Sequence, residues 1–263
     1  MDDPVVPTGH PELELTGERT LPGIWHETYW FERHVVAYRL AAARVRRLGS
    51  PVVLDAGCGE GYGLAMLAAA GAERVVGVDL DADVVAHARA RYAQHDPRIE
   101  VAVGDLAERS LADGEADLTV CFQVIEHLHD LTGALRALAR ATRPGGALLV
   151  TTPNRLTFTP GGAAPVNPFH TRELTARELA LELRSAGLEL TSLLGVHHGR
   201  RLRMVERATG HPLPERLTAT PPEAWPRWLT TVVRRVDASW FRVRERDVDA
   251  SLDLVASCRV PLR

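Results

Sequence analysis

The spacing of apolar residues changes several times along the chain, and each change marks an element. From Thr28 to Leu48 the residues Phe31, Val35, Val36, Tyr38, Leu40 and Val45 recur at helical spacing, and Gly49-Ser50-Pro51 ends the run. Short apolar runs follow at Val52–Leu54, Arg74–Val78, Ile99–Val103, Leu118–Phe122 and Ala147–Thr151, each with the length and make-up of a buried strand. Helical stretches at Leu64–Ala70, Asp81–Tyr92, Leu131–Thr142 and Ala176–Ala186 separate or follow them. A sixth strand ends by Val196, and Leu252–Val260 reads as the last. Strands alternating with helices and punctuated by glycine predict βαβ units. The fold class is therefore α/β, a doubly wound and mostly parallel seven-stranded sheet with an N-terminal helix and an insertion before the last strand.

The ends of this pattern set the domain organisation. Residues 1–23 carry Pro4, Pro7, Pro11 and Pro22 without periodicity, so residues 1–49 divide into an arm and a lid helix ahead of a domain spanning 50–263. Residues 197–247 hold Trp225, Trp228 and Trp240 among several prolines, as an insertion or small cap.

Composition narrows the function. The chain of 263 residues has a formal net charge of -3, which gives no electrostatic reason to expect nucleic acid or an anionic membrane as partner. All 31 basic residues are arginine, a bias in keeping with a GC-rich genome. Cys58, Cys121 and Cys258 are too few and too scattered for a disulfide framework or a metal knuckle, and read as small buried residues in a reducing compartment. No signal-peptide pattern opens the chain and no apolar run approaches the ~18 residues of a membrane span. The expectation is a cytoplasmic protein without a membrane span, its oligomeric state left open.

The densest chemical signal is Val53-Leu54-Asp55-Ala56-Gly57-Cys58-Gly59-Glu60-Gly61-Tyr62-Gly63. A strand, a turn that needs glycine and a helix start in that order build a ligand site at the carboxyl edge of a parallel sheet. A dinucleotide loop would place a third glycine where Tyr62 stands. Asp55 would also sit badly beside a pyrophosphate, but well near the ammonium of an amino acid. Asp79 ends the second strand, where a carboxylate can accept both ribose hydroxyls. Asp105 follows the third strand and can take the exocyclic amine of an adenine.

With these residues in view the chain resembles the class I S-adenosylmethionine-dependent methyltransferases of the broad type 11 group. The likeness is carried by Leu54-Asp55-Ala56-Gly57-Cys58-Gly59, Gly77-Val78-Asp79, Gly104-Asp105, Gln123-Val124-Ile125-Glu126-His127-Leu128 and Arg143-Pro144-Gly145-Gly146. It covers residues 50–196 and implies a Rossmann-like fold with S-adenosylmethionine as cofactor. It implies Asp55, Gly57 and Gly59 at the methionine end, Asp79 at the ribose, Asp105 at the adenine and Gln123 below the sulfonium. Cys58, Tyr62, Leu80 and Leu106 would lie beside them.

A narrower likeness rests on Thr16-Gly17-Glu18-Arg19-Thr20-Leu21-Pro22, Tyr29-Trp30-Phe31-x-Arg33-His34, Asn167-Pro168-Phe169-His170-Thr171-Arg172-Glu173-Leu174 and Asp249-x-Ser251-Leu252-Asp253-Leu254. These segments are similar to an actinobacterial branch acting on the 6-hydroxyl of glucose in methylglucose lipopolysaccharide. That likeness implies O-methylation of a saccharide, with another small-molecule acceptor such as a secondary metabolite or quinone precursor as the alternative. From other classes, an NAD-dependent oxidoreductase is opposed by Asp55 and Tyr62, and a non-catalytic cofactor-binding protein would bind but transfer nothing. Nucleic-acid methylation is opposed by the charge and by the lack of an Asn/Asp-Pro-Pro-Tyr/Phe motif after the fourth strand.

A sugar hydroxyl is a weak nucleophile, so a base beside it is expected, and histidine is suited to neutral pH. His127, His170 and the neighbouring Glu126 are the catalytic candidates, and His197 and His198 follow as lesser ones. Ubiquinone-pathway O-methyltransferases, similar in this segment, carry Glu-x-x-Glu-His with a divalent cation. Gln123 removes one anionic ligand from that pattern, so a magnesium site stays open and no ligand set follows. Tyr29, Trp30, His34 and Tyr38 would face a ligand if the first helix closes the pocket, or else form the core face of that helix, and Trp225, Trp228 and Trp240 are further acceptor-site candidates or the core of the insertion.

Overall fold

The computed structural model describes residue 13 and residues 20–106, 114–162 and 164–262. Thr16-Gly17-Glu18-Arg19 lie outside the described residues. Helix α1 (Thr28–Leu48) leads into β1 (Val52–Ala56), α2 (Tyr62–Ala69), β2 (Arg74–Asp79), α3 (Ala82–Ala88), β3 (Ile99–Val103) and β4 (Ala116–Phe122). Then come α4 (Leu131–Ala141), β5 (Thr142–Pro153), the single turn α5 (Arg155–Phe158), α6 (Ala176–Ser185) and β6 (Glu189–His198). Helices α7 (Arg200–Thr209), α8 (Leu213–Ala219) and α9 (Arg227–Val233) precede β7 (Phe241–Arg244) and β8 (Asp253–Arg259). Local chemistry sets several starts. Asp81 and Asp130 accept backbone N–H groups at the heads of α3 and α4, and Thr175 and Glu178 form a capping box on α6.

The strands form one sheet in the order β3-β2-β1-β4-β5-β8-β6-β7. Neighbours from β3 to β5 pair in parallel, whereas β8 runs antiparallel to both β5 and β6. The expectation of seven strands is one short. Phe241–Arg244 pairs antiparallel with β6, from His198↔Phe241 to Gly195↔Arg244, so the insertion supplies a strand as well as helices. Four residues flanked by short turns carry too little alternation to announce a strand. Strand β6 also runs through His197 and His198 instead of stopping before them.

Period-two alternation divides the core. Val53, Leu118 and Val120 point to a layer with α1, α2 and α3, while Leu54, Cys121 and Leu148 point to one with α4 and α6. A third cluster joins Tyr29 and Val36 of α1 to Leu202, Leu213, Leu229, Val233 and Phe241 of the insertion. All three cysteines are free and buried. Among the described residues no helix is long and apolar enough to cross a membrane.

Candidate active site

Strand order reverses between β1 and β4, and the carboxyl ends of these neighbours open a crevice where α/β sheets take ligands. A cavity of about 600 Å³ fills that place. The β1–α2 turn forms its floor. Gly57 has φ +82°, and a Cβ there would run into the Val124 side chain, so no other residue fits the close approach of this turn to the loop after β4. The turn is pinned from below, with Gly57 N and Cys58 N donating to Val78 O at 2.7 and 3.1 Å. It is also tied to β2, where Asp79 Oδ2 accepts from Gly59 N at 2.9 Å and Oδ1 from Asp81 N at 3.1 Å. Asp81, not Asp79, caps α3.

Gly57, Cys58, Gly59, Tyr62, Asp79, Leu80, Asp105, Leu106 and Gln123 all line this cavity. Gln123 holds a left-handed backbone (φ 55°) at the end of β4, a conformation that non-glycine residues adopt mainly where surrounding structure enforces it. Its N–H donates to Thr151 O at 3.0 Å and its side-chain amide to Thr151 Oγ1 at 3.3 Å. Asp55 differs from the expectation of a cavity residue. It has no exposed surface and is absent from the cavity lining, because Tyr38 of α1 lies over it and donates to its Oδ2 at 3.0 Å. Burial pushes its carboxyl up to about 7, and Oδ1 has no hydrogen-bond partner.

At the other end of the cavity lie Glu126, His127 and His170. The first two stand on a helical turn after β4, the third on the loop after β5. Two-way bonding clamps that loop to the turn. Thr171 N, Thr171 Oγ1 and Arg172 N all donate to Glu126 O, at 2.8, 3.0 and 3.2 Å. His127 Nδ1 lies 3.0 Å from Phe169 O, so Nδ1 carries the proton and Nε2 the lone pair. His170 Nδ1 lies 2.9 Å from Glu173 Oε1, and burial lowers the His170 pKa. The Glu126 side chain is buried, with Oε2 accepting from Thr152 at 3.0 Å, and burial pushes its carboxyl up to about 8.

Helix α1 supplies the third wall. Trp30, Arg33, His34 and Tyr38 line the cavity, whereas Tyr29 does not. Tyr29 is fully buried, its hydroxyl 2.6 Å from His198 Nε2, and His198 Nδ1 pairs with Glu206 at 2.9 Å. His197 and His198 thus sit in β6 away from the cavity, His198 as part of a latch between α1 and the insertion. His34 Nδ1 lies 2.6 Å from Tyr62 Oη, and burial pulls its pKa down to about 4. Arg33 forms a buried bidentate pair with Asp253 of β8, with Nε 2.6 Å from Oδ2 and Nη2 paired with Oδ1. Its Nη2 also donates to Leu252 O at 2.9 Å, and its guanidinium lies over the Trp30 ring at 5.6 Å. Trp225, Trp228 and Trp240 do not line this cavity. Trp225 stacks edge-on against Trp25, and Arg201 covers Trp240.

Three participants were not named as site residues from the sequence: Arg33 as partner of Asp253, Asp253 itself, and Glu173 behind His170. Each lies in a segment that carried the narrower likeness, which marks the segments but not the contacts between them. Those segments converge at one end of the cavity.

These features define the class: an α/β enzyme that takes its ligand at the switch point of a parallel sheet. Comparison with known proteins agrees. A methyltransferase domain family matches residues 53–146. The chain is 47% identical over 251 residues to a probable S-adenosylmethionine-dependent methyltransferase of Mycolicibacterium smegmatis, covering 93% of this chain and 94% of the relative. It is 33% identical over 179 residues to the ubiquinone biosynthesis O-methyltransferase of Xanthomonas axonopodis pv. citri, covering 61% and 72% of the two. Among solved structures the [4+2]-cyclase SpnF is similar in fold, with TM-score 0.59, 23% identity and coverage of 86% and 81%. The chain belongs to the S-adenosylmethionine-dependent methyltransferases, and S-adenosylmethionine is its cofactor.

Proposed function

We propose that the protein transfers the methyl group of S-adenosylmethionine to a hydroxyl oxygen of a saccharide, with the glucose 6-hydroxyl of a methylglucose polysaccharide precursor as the acceptor to test first. The observation that carries an oxygen acceptor is His127. Its tautomer is fixed by Phe169 O, which leaves an Nε2 lone pair on a side chain that shares one cavity with the cofactor turn. In this reading Gly57, Gly59 and their neighbours hold the methionine portion, Asp79 takes the ribose and Asp105 the adenine. Gln123 stands beneath the sulfonium. Asp55 acts from behind the cavity wall on the amino-acid end.

The reaction is an in-line displacement. The acceptor oxygen attacks the methyl carbon, the carbon–sulfur bond breaks and the electron pair leaves on sulfur. His127 Nε2 takes the hydroxyl proton, which the weak acidity of an alcohol makes necessary as the new bond forms. Holding the oxygen about 3 Å from the methyl carbon, with water excluded, supplies the rest of the acceleration. A saccharide suits this end because Trp30, His127 and His170 line the same cavity. An aromatic ring face beside hydrogen-bonding side chains is a usual pairing for a sugar.

A second reading, O-methylation of a phenolic small molecule, is favoured by the likeness to a ubiquinone biosynthesis O-methyltransferase. Methyl transfer from labelled S-adenosylmethionine to α-1,4-glucan oligosaccharides, a quinone precursor and small glycosides, with and without magnesium, separates the two. Label in the glucan, placed by NMR on one hydroxyl, supports the saccharide. Label confined to the quinone precursor removes it and keeps O-methylation. Binding without transfer to any acceptor points to a non-catalytic role.

A further inference from the structure

One donor atom from each of Glu126, His127 and His170 lies within 4.8 Å of the other two. These side chains come from two loops that the Thr171 and Arg172 bonds to Glu126 O lock together, so their approach is built into the backbone. Each donor has a partner that directs it. Phe169 O holds Nδ1 of His127, the Glu173 carboxylate holds Nδ1 of His170, and Thr152 holds Oε2 of Glu126. Histidines that bind metals through Nε2 almost always give Nδ1–H to a carboxylate or carbonyl in this way, which fixes the ring and raises its basicity. Glu173 is itself buried, and its Oε2 has no hydrogen-bond partner. A base acting alone needs one such histidine, and this cavity has two with a buried carboxyl between their loops.

We propose that Glu126, His127 and His170 form a binding site for one divalent transition-metal ion of the zinc or cobalt type. Two imidazoles and one carboxylate favour such ions over magnesium, which prefers an all-oxygen shell. A tetrahedral site with bonds of about 2.1 Å has edges of roughly 3.4 Å, so the donors must draw in from their present spacing. His170 Nε2 lies 3.0 Å from the Asn167 side-chain amide, whose Oδ1 is already engaged by Phe169 N, so the ion has to displace that amide. Binding needs no assumption about the acceptor. Its catalytic consequence rests on the hydroxyl-transfer reading: without an ion His127 is the base, whereas with one bound His127 would serve as a ligand instead and the ion would supply the acidification of a coordinated acceptor hydroxyl, whose proton would pass to water.

The test is a Co2+ titration of EDTA-treated full-length protein, read by the visible absorption of the bound ion, with Zn2+ and Mg2+ as competitors. We expect one Co2+ per chain, displaced by Zn2+ and not by millimolar Mg2+. Glu126→Gln, His127→Ala and His170→Ala should each weaken binding at least tenfold, and Glu173→Gln about 10–100-fold. Asn167→Ala should tighten it, because the amide no longer competes for His170 Nε2. That gain cannot come from misfolding, and S-adenosylmethionine affinity on the same samples reports on the fold of the others. No absorption, displacement by Mg2+, or affinity unchanged across these variants overturns the proposal. Methyl transfer to a hydroxyl by EDTA-treated enzyme that binds no Co2+ would remove the metal site and keep O-methylation. A Co2+ site in an enzyme that methylates no hydroxyl would do the reverse.

Discussion

The two ends of the cavity draw on different parts of the chain. At the proposed cofactor end, residues 55–63, 79–81 and 104–106 lie at the ends of three adjacent strands, and much of the geometry is backbone. Gly57 N and Cys58 N meet Val78 O, and Gly59 N meets Asp79. At the proposed acceptor end, side chains do the shaping, and they come from far apart. Arg33 meets Asp253 across 220 positions, and His170 is held to the Glu126 turn by the Thr171 and Arg172 bonds. The first arrangement follows from a strand–turn–helix pattern that many enzymes of this fold share. The second depends on how α1, the loop after β5 and β8 are brought together. On the proposed function, acceptor choice is grafted onto the fold at that second end.

Variants should therefore separate the ends. The largest effect is expected from His127→Ala, which should slow methyl transfer by about 10²–10⁴-fold, the range for loss of a general base, while S-adenosylmethionine affinity stays within a factor of two or so of wild type. Single-turnover transfer and calorimetric cofactor binding on the same preparation check both halves, and equal losses in the two would erase the division. Next is Arg33→Ala, which leaves Asp253 buried without its partner and should cost about 3–5 kcal/mol of stability, measured by chemical denaturation. Asp79→Ala should act in the opposite sense to His127→Ala. Losing charge-assisted hydrogen bonds worth about 1.5–3 kcal/mol weakens the cofactor roughly 10–100-fold, and saturating cofactor should restore much of the turnover. Unchanged cofactor affinity would sink the ribose assignment.

The same contrast explains what could be read without coordinates. Helix α1 was legible from end to end, because its apolar stripe is long and Gly49-Ser50-Pro51 stops it. The cofactor turn was legible because a sharp turn after a strand demands glycines at fixed spacing, and all but one of the expected cofactor residues reach the cavity. Asp55 was the exception: spacing puts it at the strand end, but only the packing of α1 shows that Tyr38 covers it. The Arg33–Asp253 pair had no local signal, since an ion pair across 220 positions leaves no periodicity. Strand β7 was too short to show alternation. His198 follows the same logic. Sequence puts it near a strand end, whereas its bonds to Tyr29 and Glu206 make it a latch between α1 and the insertion.

A change of pH separates the ends in a different way. Burial holds the Glu126 carboxyl at about 8 in the folded chain, against an ordinary value near 4.5. Below pH 4.5 both folded and unfolded chains carry the proton and Glu126 costs nothing. As pH rises toward 8 the unfolded chain releases the proton while the folded one keeps it, so stability falls through that window. Gln at this position stays neutral and can still accept from Thr152. In metal-free buffer Glu126→Gln should therefore lie within about 1 kcal/mol of wild type near pH 5 and exceed it at pH 8 by about 4 kcal/mol, roughly 8–16 °C in melting temperature. Asp55, raised to about 7 at the cofactor end, titrates in both proteins and cancels from the difference. A gap that is the same at both pH values would mean that Glu126 is ionised in the folded enzyme throughout, with a compensating cation beside it. A gap that opens between them isolates a neutral carboxyl at the acceptor end.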